Sequence, residues 1–245
     1  MEHDDLVEAV AGELEALAAA VAAGPMSADV PTCPGWTVGD LTRHVGRFCG
    51  MWTHVLREGS GRDKAPFPVA PEDDLPEWLA DVGQVLLGEL RATPPGTGVR
   101  TWYPPDQSAG FVARRSAHEL AVHRYDAQSA RGTCGPIDRA LAADGIDEMV
   151  GTLVTTSGPT GQATGETMHL HGTDEGVGEA IPAEWLVTFH PDRIEVARTH
   201  AKGDLALRGA ASDLELLLYG RPILGPVERL GDESVLDVWY REFTF

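Results

Sequence analysis

Residues with the chemistry of metal ligands occur in the segment HELAVHRYDA, residues 118–127. Glu119 and His123 are four residues apart, and on a helix this spacing separates two side chains by only about 40° around the axis. Both can therefore approach one ion, and Asp126 follows one step further along the same face. His118 and His123 are five apart, or about 140° around a helix, so they do not form the i, i+4 pair of the H-E-x-x-H zinc signature.

A second segment with a histidine is PGWTVGDLTRHVG, residues 34–46. On a helix, His44 borders an apolar stripe and points toward the interior of a helical bundle. His44 from one helix, with Glu119 and His123 from another, would offer two nitrogens and one oxygen to an ion. Such a set suits Zn²⁺ or another divalent metal, and three protein ligands leave one position for water or substrate, as in catalytic zinc sites.

Both segments also allow structures without a metal. A lone inward-facing histidine is more often a hydrogen-bonded core residue than a ligand. In the segment around His123, the polar residues could form a solvated face opposite the small apolar ones. The polar set is Arg115, Ser116, Glu119, His123 and Asp126, and the apolar set is Ala113, Ala117, Leu120 and Ala121.

Two further histidines, His169 and His171, are two residues apart. This spacing puts both on the same face of a strand, where they could bind a metal. No third ligand is evident nearby in the sequence, so the pattern favours an exposed face of a sheet.

Four helices are predicted before about residue 155, and they position the first two segments. The first helix has apolar residues at steps of three and four and ends at the Gly-Pro pair at 24–25. The second begins with Thr37 as its N-cap, and Asp40 completes a capping-box pattern. The third spans about 74–90 and the fourth about 108–130. Four antiparallel helices with one longer connection bury such stripes most simply as a bundle.

In the second half of the chain, the period of the apolar residues falls to two. The segment TTSGPTGQAT, residues 155–164, is small and polar and is predicted to be a linker. Alternation on both sides of a Pro-Asp turn at 191–192 predicts a hairpin, and DLALRG predicts another strand. The residues from Ser212 to Glu215 match a capping box that opens a leucine-rich helix ending at Gly220. The predicted fold class is α+β.

Two domains are expected within this fold class. The N-terminal four-helix bundle would span residues 1–154, and a smaller α/β domain would span residues 165–245. The residues between them, 155–164, form the predicted linker.

The charge of the chain excludes several classes of partner. It has 38 acidic and 19 basic side chains and a net charge of −19, so nucleic acid and anionic membrane surfaces are poor partners. The start, MEHDDL, lacks the basic region of a signal peptide, and no membrane-spanning run is found. The three cysteines form no CxxC pair, which indicates free thiols in a reducing compartment. We therefore expect a cytoplasmic protein.

Four segments carry a resemblance to a known family: PTCPGWTVGDLTRHVG, RRSAHELAVHRYDAQ, HLHGTD and GDLALRGAASDLELLLYGR. Together they resemble the mycothiol-dependent maleylpyruvate isomerase family. The resemblance implies a DinB-like metal-binding four-helix bundle followed by an α/β domain similar to sterol-carrier proteins. It also implies His44, Glu119 and His123 as zinc ligands and Asp126 as an active-site acid.

The resemblance further implies a reaction with small molecules. A free thiol has a pKa near about 8.5, whereas coordination to zinc yields the nucleophilic thiolate at neutral pH. Mycothiol activated in this way would add to an electrophile, in a cis/trans isomerase or in an S-transferase. An arginine of the second domain, Arg208 or Arg221, would bind a carboxylate of the thiol or the substrate, although each could instead be a solvated surface residue.

A rival hypothesis keeps the fold and drops the catalysis. In this hypothesis, the second domain holds a small apolar or lipid ligand between its sheet and a helix, and the metal of the bundle is structural. The protein would then be a carrier with saturable ligand binding and no turnover.

Overall fold

The structure is a computed structural model of the chain and describes residues 1–59, 68–157, 161, 163–174 and 183–243. It consists of two compact units, Met1–Gly135 and Pro136–Phe245. The described part of the first unit is helical, and the second combines helices with a sheet. The predicted α+β class is therefore confirmed.

Four long helices are described in the first unit. They are α1 (His3–Ala22), α2 (Val38–Glu58), α3 (Leu75–Ala92) and α4 (Ala109–Ser129). Both α1 and α2 pack against α3 and α4, which lets each helix bury its apolar stripe inside the predicted bundle. Each contributes a fully buried side chain: Leu17, Trp52, Leu86 and Leu120. Within the described ranges, no helix combines the length and apolarity needed to cross a bilayer.

The start of α2, the helix that carries His44, is set by its capping box. The Thr37 hydroxyl oxygen accepts a hydrogen bond from the Asp40 backbone N–H at 3.2 Å, and the Asp40 carboxylate accepts one from the Thr37 backbone N–H at 3.0 Å. These bonds satisfy backbone donors that have no partner within the helix. At the other end, Gly59 is left-handed with φ +64° and closes the helix. The predicted capping box is confirmed.

Helices α2 and α3 approach each other closely at Gly46. A Cβ atom at this position would overlap the indole ring of Trp78 on α3, so the packing requires a residue without a side chain. Gly46 and His44 are two residues apart, which is about 200° around a helix. One side of α2 therefore contacts α3 while another side presents His44.

The second unit begins with α5 (Arg139–Glu148), which continues through a π-helical turn into α6 (Val154–Ser157). The strands are β1 (Thr167–Gly172), β2 (Glu184–Phe189), β3 (Ile194–Ala197), β4 (Leu205–Gly209) and β5 (Glu228–Gly231). Helix α7 (Ala211–Leu218) follows β4, and helix α8 (Ser234–Glu242) follows β5. The described strands form a five-stranded sheet in the order β3-β2-β1-β4-β5, in which β1 and β4 are parallel and the other neighbours are antiparallel. The predicted hairpin is confirmed as β2 and β3.

One face of the sheet forms the core of the second unit. Its fully buried side chains include Met168, Leu170, Trp185, Val187, Leu205 and Leu207. Successive side chains of a strand point to opposite faces, so His169 and His171 of β1 lie on the other face of the sheet.

The boundary between the units differs from the predicted one. The chain divides between Gly135 and Pro136, about twenty residues before the predicted linker at 155–164. The reason is that α5 packs against α7, and that the Ile137 backbone N–H donates to Ser212 Oγ at 2.9 Å. The first residues of the predicted linker are helical in α6, and residues 158–160 and 162 lie outside the described ones.

The capping box predicted at Ser212 is wrong. Helix α7 begins at Ala211, two residues before the start that a cap at Ser212 would give, and its N-cap residue, Ala210, makes no side-chain hydrogen bond. The Asp174 carboxylate accepts the Ala211 backbone N–H at 2.6 Å instead. Asp174 is 37 positions away in the sequence, so a local capping pattern could not reveal it.

Replacing Gly46 with alanine is expected to destabilise the first unit. The new methyl group would have to displace Trp78, and overpacking of this kind costs about 1–3 kcal/mol of unfolding free energy. Gly88→Ala on α3 is the matched control, because an added Cβ there meets no heavy atom within 4 Å and alanine favours the helix by up to about 1 kcal/mol. Urea unfolding measures both variants, and equal effects would contradict the proposed packing.

Candidate metal centre

His44 of α2 meets Glu119 and His123 of α4. The Nε2 atom of His44 lies 3.1 Å from Glu119 Oε1, and the Nε2 atom of His123 lies 3.4 Å from the same oxygen. One ligand atom from each residue lies within 4.8 Å of the others. Ligand atoms around a tetrahedral zinc ion are about 3.4 Å apart, given bonds of about 2.0–2.1 Å. The separations of 3.1 Å and 3.4 Å between the two imidazole nitrogens and the Glu119 oxygen are therefore close to those around a tetrahedral ion.

The two histidine rings are held by different neighbours. The His44 ring lies against Trp36, with 5.1 Å between ring centroids, and meets the His123 ring edge-on at 4.9 Å and 77°. The His44 side chain is 41% exposed, whereas that of His123 is 13% exposed. The cluster therefore reaches the surface on the side of His44, which is the side from which a small molecule can approach. Sequence reasoning did not identify Trp36 as a neighbour of this cluster.

Asp126 lies behind His123 and is fully buried. Its Oδ2 atom is 3.0 Å from His123 Nδ1 and accepts a hydrogen bond from the Cys33 thiol at 3.4 Å. A histidine whose Nδ1–H donates to a carboxylate presents its Nε2 lone pair to an ion in a fixed orientation. The structure thus places Asp126 where it can orient His123, and its predicted role as an active-site acid stays a prediction.

Charges around Glu119 favour its ionised form. Burial alone would raise the pKa of this carboxyl, but hydrogen bonds from His123 and His44, and the charges of His123 and Arg115, hold the pKa well below its usual range. Arg115 is buried, and its guanidinium lies 3.4 Å from Glu119 Oε2. Glu119 is therefore a carboxylate at neutral pH, which is the form that binds metal ions.

The pKa of His123 is raised to about 9. Burial opposes this rise, and the hydrogen bonds and charges of Asp126 and Glu119 outweigh the burial. The imidazole of His123 thus has two anionic neighbours, one at each ring nitrogen.

Two features of the metal-free alternatives differ from the structure. Arg115, Ser116 and Asp126 are buried, so the polar residues of α4 do not form a solvated face. His44 has a 41% exposed side chain and is not a core histidine. His118 is fully buried and is not part of the ligand group, as its spacing predicted.

The two predicted substrate arginines both belong to the second unit. Arg208 of β4 is half-exposed and lies 3.6 Å from a carboxylate oxygen of Glu228. Arg221 is buried, donates to the Tyr219 carbonyl oxygen at 2.7 Å and packs over the Tyr219 ring. Contact of either arginine with a substrate stays a prediction.

The interpretation of His169 and His171 as an exposed sheet face is wrong. His169 is only 5% exposed, and both histidines group with Glu184 and His200. Glu184 comes from β2 and His200 from the connection after β3, so the group forms only after strand pairing. We call these four residues the sheet cluster.

These observations define a class of protein. It has a helical bundle with a candidate three-ligand metal centre, and an α+β unit follows the bundle in the sequence. Residues 7–128, which contain all three ligands of the candidate centre, match the family described as the mycothiol maleylpyruvate isomerase N-terminal domain. The chain belongs to this family, as the resemblance of its motifs predicted.

Solved structures extend the similarity in fold over most of the chain. A histidine-to-alanine mutant of the mycothiol-dependent maleylpyruvate isomerase shares 13% identity with a TM-score of 0.62. The crystal structure of the mycothiol-dependent maleylpyruvate isomerase shares 14% identity with a TM-score of 0.59. Each comparison covers 94% of this chain and 93% of the solved one, and at such identity it concerns the fold alone. No match was found among curated protein sequences.

Replacing Asp126 with asparagine is expected to weaken zinc binding by about 10–100-fold, the loss typical of a missing outer-shell carboxylate. Equilibrium zinc titration measures the affinity. The assay is run in a His171→Ala background, so that the sheet cluster lacks a ligand. Cys33→Ala is the control, because it removes the thiol that donates to Asp126 and keeps the bond of Asp126 to His123. An unchanged affinity in a folded Asp126→Asn protein would contradict the positioning role.

Proposed function

We propose that this protein is a zinc-dependent enzyme that activates a low-molecular-weight thiol, mycothiol, for addition to an electrophile. The observation that carries the proposal is the convergence of His44, Glu119 and His123 on one point at the surface of the bundle. Family membership supports mycothiol as the thiol, because the family description and the similar solved structures are named for it. The three cysteines are not joined by disulfides, which favours a reducing compartment such as the cytoplasm as its location.

The donor set fits zinc better than a metal of higher coordination number. Two imidazole nitrogens and a carboxylate oxygen are common ligands of catalytic zinc, and three protein ligands leave a position for a thiol. When bound, the ion would supply the Lewis acidity that lowers the pKa of the thiol below neutral. Calcium and magnesium favour sites made of oxygens alone, so they suit this set less well.

The chain's own residues would hold and orient the reactants. Asp126 keeps the Nε2 lone pair of His123 directed at the cluster, and Arg115 balances the charge of Glu119. The partly exposed ring of His44 leaves the cluster open to a small thiol. We further propose that Arg208 or Arg221 binds a carboxylate of the thiol or the substrate, since a guanidinium can make a bidentate contact to that group.

Two outcomes of thiol addition fit this site. In an isomerase, the thiolate sulfur forms a bond to one carbon of an activated double bond, and the electron pair of that double bond moves onto the conjugated carbonyl. Rotation about the resulting single bond and elimination of the thiolate then restore the double bond with the other geometry. In an S-transferase, the sulfur–carbon bond is kept, and the carbanion formed by addition takes up a proton. With a chlorinated electrophile, the sulfur instead bonds to the carbon that loses chloride.

The proposal is tested by incubating the zinc-loaded protein with mycothiol and a panel of electrophiles, including maleylpyruvate and a chlorinated bimane. Mass spectrometry then distinguishes an isomerised electrophile from a thiol adduct. We expect turnover that is lost on zinc removal and in His123→Ala, because both changes leave the thiol protonated. His54→Ala is the matched control, since His54 lies on the same helix as His44 and outside the ligand group.

Two results would overturn the proposal. One is turnover by His44→Ala or His123→Ala at the wild-type rate. The other is saturable binding of lipid with no turnover of any electrophile, which would establish the carrier hypothesis. Titration of zinc into the wild type and these variants reports separately whether the ligand assignment holds.

A further inference from the structure

The sheet cluster combines side chains from three separate elements. His169 and His171 lie on β1, and the strand register places His171 directly opposite Glu184 of β2. His200 lies three residues after the end of β3. All four residues belong to the second unit, so the cluster does not depend on the candidate metal centre of the bundle.

Distances within the sheet cluster are those of converging ligands. His171 Nδ1 lies 2.5 Å from Glu184 Oε1, and His200 Nδ1 lies 3.0 Å and 3.1 Å from the two carboxylate oxygens of Glu184. One ligand atom from each of the four residues lies within 4.8 Å of all the others. These spacings bracket the edge of a tetrahedral zinc site, about 3.4 Å.

The three imidazole rings surround the carboxylate without stacking on one another. Their centroids are 5.3 Å to 6.0 Å apart, and their planes cross at 74° to 88°. Rings that cross in this way can direct their nitrogen lone pairs toward one point. A stacked arrangement would turn the lone pairs away from one another.

His169 supplies an independent observation. Its Nε2 atom is buried, and among the described residues it has no hydrogen-bond partner. A buried polar atom without a partner is uncommon and calls for a ligand, an ion or an ordered water. Glu184 is a polar partner for a ring nitrogen of His171 and of His200. These contacts provide no partner for the Nε2 atom of His169.

We propose that His169, His171, Glu184 and His200 bind one divalent transition-metal ion, with Zn²⁺ as the preferred ion. Three imidazoles and one carboxylate select zinc, cobalt or nickel over calcium and magnesium. Four protein ligands complete a tetrahedral shell, which is the pattern of a structural zinc site. This site goes beyond the proposed thiol chemistry and requires none of its residues.

The ion would join the connection after β3 to the two central strands that carry the other ligands. The side chain of His200 is 77% exposed, and its described polar contacts are those with Glu184. A metal bond would restrain this connection and, with it, the edge strand β3. The second unit should therefore be more stable with zinc than without it, by the linkage between binding and folding.

The test uses the full chain carrying His44→Ala and His123→Ala, which removes two ligands of the bundle centre. After dialysis against zinc and then against buffer, elemental analysis is expected to find one ion per chain, the one held by the sheet cluster. Adding His200→Ala should weaken zinc binding by at least about tenfold, since a ligand is lost. His190→Ala is the matched control, because His190 lies in the β2–β3 hairpin and outside the cluster.

Two further measurements keep the test decisive. Cobalt substitution in the double variant should give the intense visible absorption of a tetrahedral ion, which His200→Ala should abolish and His190→Ala should preserve. Zinc should also raise the midpoint of thermal unfolding, and this shift should disappear in His200→Ala. If the double variant does not fold, the wild type is compared with its single His200→Ala variant, and the loss of one bound ion is expected.

The proposal is overturned if the double variant binds no zinc, or if His200→Ala and His171→Ala bind zinc as tightly as the His190→Ala control. Failure of the proposed thiol chemistry gives a different result. In that case no electrophile is turned over, while zinc bound to the sheet cluster is still lost in His200→Ala and kept in His190→Ala.

Discussion

The candidate metal centre depends on one partly buried carboxylate, that of Glu119, where α2 and α4 meet. A carboxylate in this position is stable only if charged or hydrogen-bonding groups compensate for the loss of water. His44 provides a partner from α2, while Arg115 and His123 provide partners from α4 itself. One anion thereby draws together imidazoles from two helices. The two imidazoles among these partners, together with the carboxylate itself, are also the groups that can hold a cation.

Protons and a divalent ion compete for these atoms. Without an ion, the pKa of His123 at about 9 keeps its imidazole protonated at neutral pH, so metal binding has to displace that proton. Asp126 contacts Nδ1 of His123, the nitrogen that faces away from the cluster. This contact is compatible with either a proton or a metal ion at Nε2. The ring is thus already oriented before the ion arrives, which reduces the reorganisation that binding requires.

The two clusters differ in the number of candidate ligands, and this difference suits them to different roles. The candidate metal centre of the bundle, here called the bundle cluster, offers three candidate ligands, His44, Glu119 and His123, and the side chain of His44 is partly exposed. This arrangement leaves room for a thiol. The sheet cluster has four ligands from three elements, which leaves no free tetrahedral position. Each cluster lies within one compact unit, so each can be tested without the other. A reacting ion in the bundle and a stabilising ion in the sheet are compatible roles within one chain.

Much of the fold and part of the bundle cluster were determined by the sequence alone, because short-range interactions carry them. Apolar steps of three and four residues identified the helices, the capping box at Thr37 placed the start of α2, and the spacing of Glu119 and His123 put both on one face of α4. Tertiary structure decided how deeply Asp126 is buried, where the units divide and which residues complete the sheet cluster. Glu184 reaches His171 only through the register of β1 and β2, and His200 reaches Glu184 only after the turn beyond β3. Strand register and helix docking depend on contacts between residues far apart in the chain, and no local pattern records such contacts.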